Sequence, residues 1–224
     1  MTAARDSGAA SRDALEELCT RYWPPLYSFA RQRGYPVEQA QDVTQSFFAR
    51  LIESRSLKAA DPQRGRFRSF LLASFTHFLA NDWDRERAQK RGGGMVLVPI
   101  EVETAEGIYL SHPLDTLTPE RIFERQWALG VLERATATLR DECVRSGKHT
   151  LFERLKGYVE GDKSDGSYAD AARTLGTTEG AVKVTVHRLR RRYREVLREE
   201  IGATVSDDAD IEDEIAHLVA TLSR

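Results

Sequence analysis

The chain has 224 residues, 41% hydrophobic and 30% charged, enough for one large or two small domains with buried cores. Its formal net charge of −2 conceals a strong asymmetry: Lys183, Arg188, Arg190, Arg191, Arg192, Arg194 and Arg198 stand against the single acid Glu195, whereas Asp207, Asp208, Asp210, Glu212, Asp213 and Glu214 crowd residues 207–214. Cys19 and Cys143 lie far apart with no second Cys or His at ligand spacing, which argues against a disulfide framework or a zinc site, and no apolar run approaches membrane-spanning length. The opening residues lack the apolar core of a signal peptide, so the expectation is a cytoplasmic protein with no membrane partner, metal or cofactor.

Residues 1–11 are small and polar and read as a flexible tail. Leu15, Leu18, Tyr22, Leu26 and Phe29 then mark an amphipathic helix that Gly34 ends near Arg33, with Pro24-Pro25 implying a kink or break. Pro36 opens a second helix in which Val37, Ala40, Val43, Phe47 and Leu51 face inward, while Glu38, Gln41, Asp42, Gln45 and Ser46 form a mildly acidic outer face. The stretch SLKAADPQRGRF is a loop by its Asp61-Pro62 and Gly65. A third helix follows, with Phe67, Phe70, Leu71, Phe75, Phe78, Leu79 and Trp83 as its buried stripe and Arg68, His77 and Asn81 outside it. Beyond Gly92-Gly93-Gly94 the sequence MVLVPIEVETAEGIYLSHPLDTL loses helical period and reads as an extended linker that leaves a short strand open.

Thr118, Pro119 and Glu120 supply a cap, a first-turn proline and a first-turn acid for a helix with Trp127, Val131, Leu132, Ala135 and Leu139 inward. A shorter helix spans Thr150 to Val159, with Leu151, Phe152, Leu155 and Tyr158 as its apolar face, and Gly161 to Gly166 is a loop. From Ser167 to Tyr193, SYADAARTLGTTEGAVKVTVHRLRRRY, two helices meet at a tight turn, with Gly176 as the residue of positive φ and Thr178 as the next cap. The second carries Val182, Val186, Leu189, Tyr193 and Val196 inward and Lys183, His187, Arg188, Arg190, Arg191 and Arg194 outward. Such a helix-turn-helix fits the major groove of DNA, although a solvated basic helix in a bundle has the same composition. After Gly202, DDADIEDEIAHLVATL forms a short helix with Ile211, Ile215, Leu218, Val219 and Leu222 on one side. That helix either caps the bundle before it or lies as an acidic inhibitor against Lys183 to Arg194. The fold class is thus all-α: residues 12–91 and 118–202 form two small helical domains, 92–117 join them, and 203–224 are an acidic extension.

Two stretches of the first half, YPVEQAQDVTQSFFARL and DPQRGRFRSFLLASFTHFLANDW, together with SYADAARTLGTTEGAVKVTVHRLRRR in the second, carry a family likeness in matching order. The chain resembles the extracytoplasmic-function class of bacterial RNA polymerase sigma factors, over about Leu15 to Arg91 (region 2) and Ile122 to Leu197 (region 4). The resemblance implies a non-enzymatic protein that directs core RNA polymerase to promoters. Glu38, Asp42 and Gln45 would meet the polymerase clamp helices. The 61–66 loop with Arg64 and Arg66, together with Arg68, His77, Asn81 and Arg85, would read and help melt the −10 element. Lys183, Val184, Thr185, His187, Arg188 and Arg191 would read the −35 element.

The second helix bears less acid than the family pattern, with Ser46 where a glutamate is common. Some members are partnered with Ser/Thr kinases, which makes Thr44 and Ser46 candidate phosphorylation sites: a phosphate adds about −1.5 to −2 charges. An anti-sigma factor is the other partner the resemblance implies. A reading of a different class is a helix-turn-helix regulator that acts without polymerase, normally as a dimer on a palindrome.

Overall fold

The computed structural model describes residues 3–53, 66–86, 105–107, 117–161, 167–205, 207 and 209–223. Every regular element among them is helical: α1 (Ala3–Gln32), α2 (Val37–Glu53), α3 (Phe67–Glu86), α4 (Pro119–Arg145), α5 (His149–Glu160), α6 (Tyr168–Leu175), α7 (Glu179–Gly202) and α8 (Asp210–Leu222), with a helical turn at 105–107. No described helix is long and apolar enough to cross a membrane. The chain divides into two compact units, Met1–Leu129 with Thr204–Ser206 and Ala216–Arg224, and Gly130–Ala203 with Asp207–Ile215. The helix expected to open the second domain at residue 118 therefore contributes its residues up to Leu129 to the first unit.

In the first unit α1 starts at Ala3, taking in the stretch read as a tail, whose alanines are strong helix formers. It also runs unbroken through Pro24 and Pro25. Each proline removes one backbone donor, but Tyr22, Trp23, Leu26, Tyr27, Phe29 and Ala30 are all buried around the pair, and that apolar burial outweighs two missing bonds. In α2 the buried stripe is Ala40, Val43, Thr44, Phe47, Phe48 and Leu51. Val37, expected inward, is 37% exposed because it is the first residue of α2 and precedes the turn that reaches the core. The α3 stripe supplies Leu71, Phe75 and Leu79. Phe47 meets Phe75, Phe78 and Phe48 edge-on with ring centroids 5.0, 5.6 and 5.7 Å apart, and Phe75 meets Phe29 at 6.0 Å.

Two charged inserts complete this unit. The 105–107 turn, part of the expected extended linker, drops Ala105 into the core and sets the Glu106 carboxylate against the Tyr27 hydroxyl and the Arg31 guanidinium, the latter at 2.8 and 3.0 Å. Burial works to raise the Glu106 carboxyl, but those two donors outweigh it and hold it below the usual carboxylate range. The rest of the linker, 92–104 and 108–116, lies outside the described residues, and with it the expected place of a short strand. At the start of α4, the Thr118 hydroxyl accepts from the Arg121 amide at 3.3 Å as the cap expected there. Arg68 of α3 donates to Glu124 at 2.8 Å and lies 4.5 Å over the Trp127 ring, and Glu124 also pairs with His217 of α8 at 2.9 Å.

In the second unit, α5, α6 and α7 enclose a core of Leu155, Tyr158, Ala171, Ala172, Val182 and Val186, continued by Leu139, Cys143 and Phe152. Cys19 and Cys143 are both buried, and neither is in a disulfide. The first turns of α8 pack beside the end of α7, with Ile211 close to Gly202 and Glu212 ion-paired to Arg198.

Candidate nucleic-acid interface

The sequence Ser167–Tyr193 folds as its caps dictate. Ser167 accepts from the Asp170 amide at 3.2 Å and donates its hydroxyl to the Asp170 carboxylate at 2.8 Å, while that carboxylate accepts the Ser167 amide, closing a capping box at the start of α6. The two Ser167 donors, with Arg173, hold the Asp170 carboxyl below its ordinary range. Gly176 ends α6 at φ 63°, where a side chain would be strained, and the Thr177 amide returns to the Ala172 carbonyl at 3.0 Å. One residue later Thr178 caps α7 by accepting from the Ala181 amide at 3.2 Å. The short connection makes the two helices cross, and their apolar faces meet at Ala171, Ala172, Val182 and Val186.

The outward side of α7 presents Lys183, Val184, His187, Arg188, Arg191 and Arg194, all exposed. Val184, an apolar side chain at 52% exposure in the second turn, is suited to a thymine methyl. Lys183 pairs with Glu179 at 2.7 Å, and this carboxylate raises the Lys183 ammonium above its usual value. Thr185 is half-buried, and its hydroxyl donates to the Ala181 carbonyl at 2.8 Å, which leaves it only as an acceptor towards a ligand. Arg191 leans on Glu195 at 3.2 Å.

Not every cation of α7 belongs to this face. Arg190, expected outward, turns back and donates through two nitrogens to the Tyr158 carbonyl at 2.7 and 3.0 Å, satisfying one of the last acceptors of α5. Arg192 is bidentate to Glu142 at 2.7 and 3.0 Å and also meets Glu195 and Glu199, and the Glu142 bond is the main reason its guanidinium is raised. Within the second unit α8 touches α7 through Arg198 and Gly202, beyond the Lys183–Arg194 face on which an inhibitory tail would lie.

In the first unit, Glu38 and Asp42 are exposed and Gln45 half-buried, and their spacing of four and three sets them in one row along α2. Ser46 is half-buried. Thr44 is fully buried and donates its hydroxyl to the Ala40 carbonyl at 2.7 Å, so in the folded protein it offers no oxygen to a kinase; its spacing of four from Ala40 puts it inside the stripe. Of the residues assigned to the −10 strand, His77 and Asn81 are exposed one turn apart on α3, and Arg66 is half-buried just before it. Arg68 is the correction: it is 4% exposed and committed to Glu124 and Trp127. Arg64 and the side chain of Arg85 lie outside the described residues.

The sequence reading passed over Glu179, which the structure sets beside Lys183 on this face, and the i,i+4 spacing of an acid before Lys183 is the signal that marks it. No protein-family model, curated protein or solved structure matches the chain.

Proposed function

We propose that the chain is a promoter-specificity factor of the extracytoplasmic-function sigma type, which binds core RNA polymerase and directs initiation without chemistry of its own. The observation that carries this reading is the Ser167–Tyr193 helix-turn-helix, with its outward row of Lys183, Val184, His187, Arg188 and Arg191 on the first turns of α7. In this reading α7 enters the major groove of the −35 element. Arg188 donates to a guanine, and Arg191 holds a phosphate.

The Glu38, Asp42 and Gln45 row of α2 is the surface for the polymerase clamp, and His77 with Asn81 is what α3 offers to the −10 strand. Arg68 is not part of that set. If a kinase adds charge to α2, Ser46 rather than Thr44 is the acceptor.

Co-purification of the full chain with core polymerase, followed by run-off transcription from a genomic library, tests the proposal. Arg188→Ala is expected to lose about ten-fold discrimination at one base of the upstream element, whereas Arg191→Ala weakens all promoters alike. A chain that ignores polymerase and binds a palindrome as a dimer is instead a free-standing helix-turn-helix regulator.

A further inference from the structure

We infer that Glu179 is a specificity-determining residue of α7 and that, with Lys183, it reads a single C·G base pair, cytosine through the carboxylate and guanine through the ammonium. The inference rests on the reading of α7 as the helix that enters the major groove.

Glu179 Oε1 and Lys183 Nζ are 2.7 Å apart, with side chains 48% and 56% exposed, so an acceptor and a donor stand side by side facing outward. In the major groove, a C·G pair shows the cytosine N4 amino group beside the guanine O6. Those two atoms are hydrogen-bonded to each other and hence about 2.9 Å apart. The Glu179–Lys183 pair is the complement of that array at nearly the same spacing: N4 donates to the carboxylate while Nζ donates to O6. The reversed G·C pair sets N4 against the ammonium and O6 against the carboxylate, which repels at both points. An A·T pair keeps the amino and keto order, but thymine sets a methyl beside O4 where guanine offers a second acceptor, N7, so Lys183 favours guanine. A carboxylate in a groove lined by phosphates is repelled unless an amino group meets it, so Glu179 discriminates chiefly by rejection.

Gly180 points the same way. A Cβ added there would meet nothing of the chain itself within 4 Å, and Gly180 is not among the glycines with positive φ, so neither packing nor backbone conformation demands glycine. Lying three and four residues before Lys183 and Val184, it clears the face across which a base edge would approach the Glu179–Lys183 pair.

The test is selection from double-stranded DNA with a randomised upstream element, using the full chain alone and with core RNA polymerase. Melting curves establish that each variant is folded. Wild type is expected to enrich one position as C·G. Glu179→Ala should lose about ten-fold preference there while the other positions hold, and Glu179→Gln should shift the same position towards adenine. If Glu179→Ala enriches the wild-type sequence unchanged, the carboxylate serves the helix alone and the inference is overturned. A folded wild type that enriches no sequence under either condition overturns the DNA-reading assignment, and this inference with it.

Discussion

Replacing Glu124 with alanine is expected to destabilise the first unit by about 3 kcal/mol, because it removes the carboxylate that faces a guanidinium the fold has taken out of water. Arg68 is 4% exposed at its side chain; burial pushes its guanidinium below the ordinary arginine value, and the Glu124 carboxylate at 2.8 Å is the largest influence opposing that shift. The effect sits at the low end of the range for a broken buried pair since Glu124 keeps 22% exposure, through which water can reach the site. Glu124→Gln retains an acceptor and should cost less. The double change Arg68→Met with Glu124→Leu should recover most of the loss, since an apolar pair has no charge to desolvate. Urea denaturation decides: a loss below about 1 kcal/mol for Glu124→Ala would mean that Arg68 finds water or another acceptor.

Phe75→Ala should cost about 3–5 kcal/mol in the same unit. The Phe75 ring is fully buried, edge-on to both Phe29 and Phe47 and stacked on Phe78, so truncation removes its apolar burial, leaves a cavity and breaks three aromatic contacts of about 0.5–1.5 kcal/mol each. Phe78→Ala, at a half-buried position on the same helix, should cost clearly less. Equal losses at the two positions would show that ring burial is not what sets the cost.

Most of this was legible where local rules act alone. Gly176 takes the positive φ that its missing side chain allows, Thr178 caps the next helix as a threonine can, and the stripe from Val182 to Val196 packs as its spacing requires. What escaped the reading were polar residues lying inside apolar stripes. Arg68 stands three and seven residues before Leu71 and Phe75, and Glu124 stands three and seven before Trp127 and Val131. Period alone places both inward, and their opposite charges make them partners. Reading Arg68 as outward hides that pair, whereas Thr44, four residues from Ala40 and beside the buried stripe, bonds the Ala40 carbonyl. Pro24-Pro25 does not break α1, for a different reason: a local breaker loses to the burial of the residues around it, which depends on chain distant in sequence.

The division of labour among the α7 arginines also bears on ionic strength. Between Lys183 and Arg198 the sequence holds seven cations, but Arg190 and Arg192 are tied to backbone and carboxylates of their own unit and Arg198 to Glu212. That leaves at most Lys183, Arg188, Arg191 and Arg194 to displace condensed counterions from a duplex, with Lys183 and Arg191 first released from Glu179 and Glu195, and with Lys183 and Arg188 also assigned to bases. Each neutralised phosphate contributes about −0.9 to the slope of log affinity against log salt, so α7 should show a slope no steeper than roughly −3.6, against roughly −6 from the sequence count. If α7 enters a duplex as proposed, its binding should therefore fade only gradually as salt rises, with a larger share of the affinity coming from base contacts.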